Sequence, residues 1–197
     1  MVLSMRTLSS TLHKGLRRGS FVVLLLVSVT AMSTLSCSKD EATSTYSNRE
    51  YVYCFFNVLQ YTELFNVMGS NGQFATIRRQ VEDGVTHIRM TCTGSSTPYP
   101  LDATAKGFGF GLGGLIVGTN YYGEHLCYDL ACPICDRAGT RLTLDGIYAK
   151  CNHCGVTFDM NNYGVIYTKP EGAQLANPRG LYRYRINYDG QIVNAYN

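Results

Sequence analysis

Four cysteines stand in two pairs, Cys132-Pro-Ile-Cys135 and Cys151-Asn-His-Cys154, with 15 residues between them. Thiolates spaced C-x2-C-x15-C-x2-C can close a tetrahedron around one soft metal ion or hold a small iron–sulfur cluster. Each two-residue gap suits a tight knuckle, and the 15-residue excursion is long enough for a hairpin that brings the pairs together. The spacing points to a metal more strongly than to any particular metal. Two disulfides, redox or structural, or four buried thiols, are the other arrangements these residues allow.

The stretch between the pairs supplies that hairpin. Leu142-Thr-Leu and Ile147-Tyr-Ala-Lys150 read as strands joined at Asp145-Gly146, a strong turn signal. Residues 121–130 read as the strand leading to Cys132. Earlier, residues 51–58, 74–78 and 86–92 carry aromatic and β-branched residues in strand-like runs, with turns at Gly69-Ser-Asn-Gly72 and Asp83-Gly84. Residues 61–65 read as one short helical turn and 93–100 as a loop. After the cysteines, residues 165–168 read as a strand, 170–178 as a loop, and 181–193 as a hairpin turning at Asp189-Gly190. No Trp, 15 Tyr and 20 Gly in 197 residues, with only 16% charged side chains, favour a β-rich domain.

Residues 107–118 contain six glycines, and Gly109-x-Gly111-x-x-Gly114 formally matches a dinucleotide-binding fingerprint. That fingerprint needs a helix after it. Leu115-Ile-Val-Gly-Thr follows and reads as a strand, so the stretch is read as a loop or strand entering a packed barrel, where glycine permits tight bends.

The start of the chain has a different character. Arg6, Lys14, Arg17 and Arg18 precede any acid, and residues 21–27 form a short apolar run. A basic start, an apolar middle and small residues up to Ser36 read as an export signal over residues 1–36. Thr34-Leu35-Ser36 resembles a lipobox, with Leu one position later than usual, which makes Cys37 the acylated residue. Cys37-Ser-Lys-Asp-Glu41 also resembles the export tag of some Gram-negative surface lipoproteins. Polar residues 37–50 then read as a flexible tether. These features imply a lipid anchor in the cell envelope, at the outer membrane, facing either the periplasm or the surface. Setting the four early cations aside leaves 13 basic and 14 acidic side chains, about −1, so no nucleic-acid partner is expected.

From Tyr128 to Gly164 the chain resembles a Rieske-type [2Fe–2S] domain, with weaker similarity along residues 51–197. Tyr128-Asp129-x-x-Cys132-Pro133 looks like the approach to the first ligand box. Cys151-x-x-Cys154-Gly155-x-x-Phe158-Asp159 looks like the second, and Gly172-Ala173 through the last hairpin like the closing strands. The departures fall on the ligands: Cys135, with one extra residue in its gap, and Cys154 stand where the family has histidine. The high potential of that family's centre comes from two neutral imidazoles on one iron, so two more thiolates would lower it. An alternative register, Cys127-Tyr-Asp-Leu-Ala-Cys132, puts Asp129 at a histidine position and leaves Cys135 without a role.

The resemblance implies an all-β fold: a Rieske-like antiparallel β-sandwich or barrel over residues 51–197, with a small metal-binding subdomain of two knuckle loops at about 128–168. The expected ligands are Cys132, Cys135, Cys151 and Cys154, with His153 and Gly155 beside them. Structural zinc is the first expectation, and a [2Fe–2S] cluster or single iron serving an unidentified redox protein partner is the alternative. No paired carboxylates, Ser-His-Asp set or second metal triad occurs, and His87 and His125 stand singly in strand-like context, so no enzyme activity is expected. Cys54 and Cys92 are candidates for a disulfide, which leaves Cys127 over.

Overall fold

The computed structural model describes residues 46–197. The export signal, Cys37 and residues up to 45 lie outside the described residues. The fold is all-β with one short helix, in two antiparallel sheets.

The larger sheet has nine strands: β1 (Val52–Asn57), β2 (Gln73–Glu82), β3 (Val85–Cys92), β4 (Ser95–Pro100), β5 (Gly109–Phe110), β6 (Leu115–Thr119), β7 (His125–Asp129), β12 (Arg183–Tyr188) and β13 (Ile192–Tyr196). Their order across the sheet is β4-β3-β2-β6-β7-β12-β13-β1-β5. The smaller sheet, in the order β11-β10-β9-β8, contains β8 (Leu142–Asp145), β9 (Tyr148–Cys151), β10 (Thr157–Asp159) and β11 (Val165–Thr168). It is built entirely from chain between β7 and β12, which are themselves neighbours in the large sheet.

Alternation along the strands creates two cores. Val52, Cys54 and Phe56 of β1 face inward, as do Ile77, Ile88, Val117 and Val193 of other strands. The large sheet curls around them, and helix α1 (Thr62–Met68) closes one side with Leu64, Val67 and Met68. Near the open edge, Arg79 donates to the carbonyls of Lys106 and Phe108, both at 2.8 Å, and lies over the Phe110 ring. The second core lies on the opposite face of the sheet, where Phe74, Ile116, Leu126 and Tyr128 meet Leu142, Ala149 and Phe158 of the small sheet and Met160 just after β10. β6 is therefore covered on both faces and is buried at all five positions, which explains why Leu115-Ile-Val117 runs apolar without alternation.

Three local readings differ from the structure. Residues 93–100 form β4 rather than a loop: Ser95, Thr97 and Tyr99 alternate inward, and Pro98 and Pro100 are tolerated because β4 is an edge strand. The strand expected over 121–130 begins only at His125, since Asn120 turns the chain by accepting from the N–H groups of Tyr122 and Glu124. The end of the tether is also held: Ser47 N–H donates to the Arg183 carbonyl at 2.8 Å, and the Arg183 guanidinium lies between the rings of Tyr46 and Tyr163. Gly109–Gly114 is followed by β6 and not by a helix.

Candidate metal centre

β7 and the β8–β9 hairpin carry the two cysteine pairs to one place. Leu130 N–H donates to Gly114 O and Leu142 N–H to Leu130 O, so the chain leaving β7 is clamped between the glycine-rich loop and β8. β9 ends on Cys151, paired in register with Leu142. The hairpin turn sits at Gly146-Ile147, one residue later than expected, with Gly146 at φ 58°.

The two knuckles repeat one backbone pattern. Asp136 N–H returns to Cys132 O at 2.8 Å, and Gly155 N–H to Cys151 O at 2.9 Å. The N–H groups of Ile134 and Cys135 point at the Cys132 sulfur; those of His153 and Cys154 point at the Cys151 sulfur. Each knuckle thus presents one buried sulfur wrapped in amides and one half-buried sulfur nearer solvent.

All four sulfurs lie within 4.8 Å of one another. Two contacts cross between the knuckles, Cys132 Sγ to Cys154 Sγ and Cys135 Sγ to Cys151 Sγ, each 3.7 Å. Thiolates at about 2.3 Å from one tetrahedral ion stand about 3.8 Å apart. Disulfide sulfurs would be at about 2.05 Å, and all seven described cysteines are free. The four cysteines therefore form a cage that could bind one metal ion. His153 lies beside it rather than in it, with Nδ1 3.5 Å from Cys135 Sγ.

The thiols of the cage differ in how readily they ionise. Burial pushes the Cys132 thiol far above its ordinary value, and burial and the neighbouring thiols push Cys135 up to about 11. Burial is also the largest single influence on Cys151, but the amides of Cys154 and His153 together with the Cys132 and Cys154 thiols outweigh it and hold this thiol below its ordinary value. Crowded thiols resist ionisation, and a bound cation reverses that balance.

A carboxylate holds the support in place. Asp129, buried at the end of β7, accepts from the N–H groups of Leu112 (2.6 Å), Gly113 (2.9 Å) and Ala131 (2.7 Å) and from Tyr184 Oη (2.7 Å). The glycine-rich loop is thereby strapped to the residue just before Cys132. Glycine is required at Gly111, where φ is 68° and a Cβ would sit 2.4 Å from Asp129 Oδ2. This role for Asp129 was not assigned from sequence. Its only signal is position, one acid just before Cys132 and 15 or more residues after a glycine-rich stretch.

Other candidate residues fall elsewhere. Cys54 and Cys92 are not bonded, and Cys54 instead interacts with Cys127 across the first core. His125 Nδ1 is 3.0 Å from Thr119 Oγ1 and its ring meets Tyr188 edge-on, which is a packing role. His87 stands opposite Gln80 on the outer side of β3 and is not one of the residues grouped with the four cysteines. No helix among the described residues is long and apolar enough to cross a membrane. No family model, curated protein or solved structure matches this chain.

Proposed function

We propose that the chain is an extracytoplasmic lipoprotein whose domain is stabilised by one zinc ion held by Cys132, Cys135, Cys151 and Cys154. The observation that carries this reading is the pair of 3.7 Å contacts between knuckles, within a set of sulfurs no more than 4.8 Å apart. That spacing favours a single ion over a two-iron cluster, whose second metal would spread the two thiolate pairs. Four protein ligands leave no open position, so the ion supplies folding energy rather than chemistry. The site joins the small sheet to the end of β7, where such a clamp acts on the whole inserted subdomain.

The Rieske-like reading belongs to the same proposal. It is supported by the insertion of a small knuckle-bearing sheet between neighbouring strands of a larger one. Export also favours zinc: a chain threaded unfolded through a membrane acquires its ion afterwards, and Zn2+ requires no assembly machinery. Acylation at Cys37, with a lipid anchor to the outer membrane, rests on the sequence around that residue.

A second reading keeps the ligands and replaces zinc with iron, as a single ion or a [2Fe–2S] cluster, for electron transfer to a protein partner. Its support is the set of amide N–H groups aimed at Cys132 and Cys151, the kind of bond that tunes cluster potentials. Metal analysis and a visible spectrum of the purified protein separate the readings. Colourless protein with one equivalent of zinc is expected; absorption that bleaches on reduction, with iron in the protein, would establish the second reading instead. Protein without either metal, folded equally well after Cys132→Ser and Cys154→Ser, would remove both.

A further inference from the structure

The outer face of the large sheet is charged where β2 and β3 run beyond the small sheet. Register sets Thr76 opposite Thr91, Arg78 opposite Arg89, and Gln80 opposite His87. Phe74, on the same face of β2, is covered by the second core. Past it, a cleft of about 480 Å³ opens between these strands and the β8–β9 hairpin. Thr76, Arg78 and Thr91 form one wall; Arg141 and Thr143 form the other.

Like charges directly opposite on neighbouring strands repel. Arg89 is compensated by an ion pair with Glu82 and a hydrogen bond to Ser96 Oγ at 3.3 Å. Arg141 spends its Nε on the Gly113 carbonyl at 2.8 Å, which leaves its terminal nitrogens for the cleft. The Arg78 side chain has no ion pair or hydrogen bond among the described residues, although it is half-buried. Burial lowers its pKa from the ordinary arginine value; Arg141 and Arg89 push the same way, and only Glu82 opposes them. One acid lines the cleft, Asp145 at the hairpin turn, and it pairs with neither arginine. Two cations against one anion leave the cleft at about +1, with Leu130 and Leu144 as an apolar floor.

A partly desolvated guanidinium facing two others is costly unless something negative joins it. Its planar fork matches phosphate, sulfate or carboxylate oxygens. We propose that this cleft is a binding site for an oxyanion, a phosphate, sulfate or carboxylate group, held between Arg78 and Arg141 with the Thr76 hydroxyl as a third donor. The leucines accommodate an apolar body attached to that group. The site is separate from the cysteine cage and is tested whether or not that cage holds metal.

The test titrates the purified full chain with inorganic phosphate, sulfate, phenyl phosphate and benzoate, at an ionic strength kept constant with chloride. Binding is read by calorimetry and by backbone amide shifts. Saturable millimolar binding by at least one of these anions is expected, with shifts centred on residues 76–78 and 141–144. Phenyl phosphate binding tighter than inorganic phosphate, or benzoate binding tighter than both inorganic ions, identifies an organic anion as the ligand; phosphate or sulfate binding at least as tightly as the organic anions identifies the free inorganic ion. Arg78→Gln and Arg141→Gln should each weaken binding by about tenfold, and Arg185→Gln, on β12, should leave it unchanged. Arg78→Lys, which keeps the charge and loses the fork, covers the case in which Arg78→Gln fails to fold and should also weaken binding. Shifts that rise linearly with every anion, or unchanged affinity in the Arg78 variant, would overturn the site.

Discussion

Asp136 and Gly155 occupy the same place in the two knuckles. Each is the fourth residue after its leading cysteine, each has a left-handed backbone (φ 52° and 73°), and each returns its N–H to that cysteine's carbonyl. Glycine takes this conformation without cost, whereas an L-residue loses about 1–2 kcal/mol. The Asp136 carboxylate offsets that loss: it accepts from Tyr182 Oη at 2.9 Å and pairs with Arg49, so the first knuckle is also tied to the segment that enters the domain.

Gly155→Ala should therefore weaken metal binding more than Asp136→Gly. The alanine Cβ would meet Pro170 Cγ at 2.8 Å in addition to the backbone strain, for a combined cost of about 1–3 kcal/mol. Asp136→Gly relieves strain while losing partly exposed contacts, and the net change should stay within about 1 kcal/mol. Competition for the metal against a chromophoric chelator measures both. Equal affinities in the two variants would show that the left-handed positions do not set the cage.

Asp129→Asn preserves shape and reverses one half of the group. All four partners of the carboxylate are donors, so the amide NH2 must face a donor whichever way it turns. Leaving buried donors unpaired costs about 1–3 kcal/mol, and more where a charge was the acceptor. A lower melting temperature is expected, together with faster amide exchange at Leu112, Gly113 and Ala131. Unchanged exchange there would mean the strap does not hold the loop.

The parts of the molecule that were legible from sequence are those where a short local pattern decides the outcome. The cysteine pairs announce themselves by spacing, and Asp145-Gly146 and Asp189-Gly190 mark hairpins that exist, the first shifted by one residue. β4 was hidden because its inward side is made of hydroxyls, Ser95, Thr97 and Tyr99, whose purpose is to grip Glu63, a residue 32 or more positions earlier. Asp129 and the Gly111 region look unrelated until β6 and β7 pair. Arg78 and Arg141 meet only after the small sheet folds back onto β2. Long-range polar contacts of this kind depend on register and on which face each residue takes, and no local periodicity carries that information.

The three cysteines outside the cage among the described residues should differ in reactivity. Cys54 and Cys127 are fully buried, and desolvation pushes Cys54 up to about 12 and Cys127 well above the ordinary thiol value. Cys92 is only half-buried, though burial and nearby Glu63 also raise it. The thiolate is the reactive form, so alkylation of the folded protein followed by peptide mass mapping should label Cys92 first. Cys54 and Cys127 should follow only as the domain opens. Labelling of Cys54 at the rate of Cys92 would contradict the packing of β1 against the first core.

Glu63 gives the fold an acid limit. Burial by itself would raise its pKa, but Ser95 Oγ (2.6 Å), Thr97 Oγ1 (2.6 Å) and Tyr99 Oη (2.7 Å) donate to it and outweigh that effect, so the folded pKa lies below the ordinary glutamate value. The unfolded chain then binds the proton more readily than the folded one. The stabilisation from this carboxylate is complete above the ordinary glutamate pKa and is lost as pH falls from there through the folded value. Glu63→Gln removes the titrating group and keeps its size. Melting temperatures measured from pH 3 to 7 should show the native protein losing stability more steeply than the variant on the acid side, and the gap between them narrowing as pH falls. The variant should also be less stable at pH 7, by roughly 1–3 kcal/mol, because the amide cannot accept from all three hydroxyls through two ionised oxygens. Parallel curves at every pH would show that β4 is held to α1 by packing and not by this carboxylate.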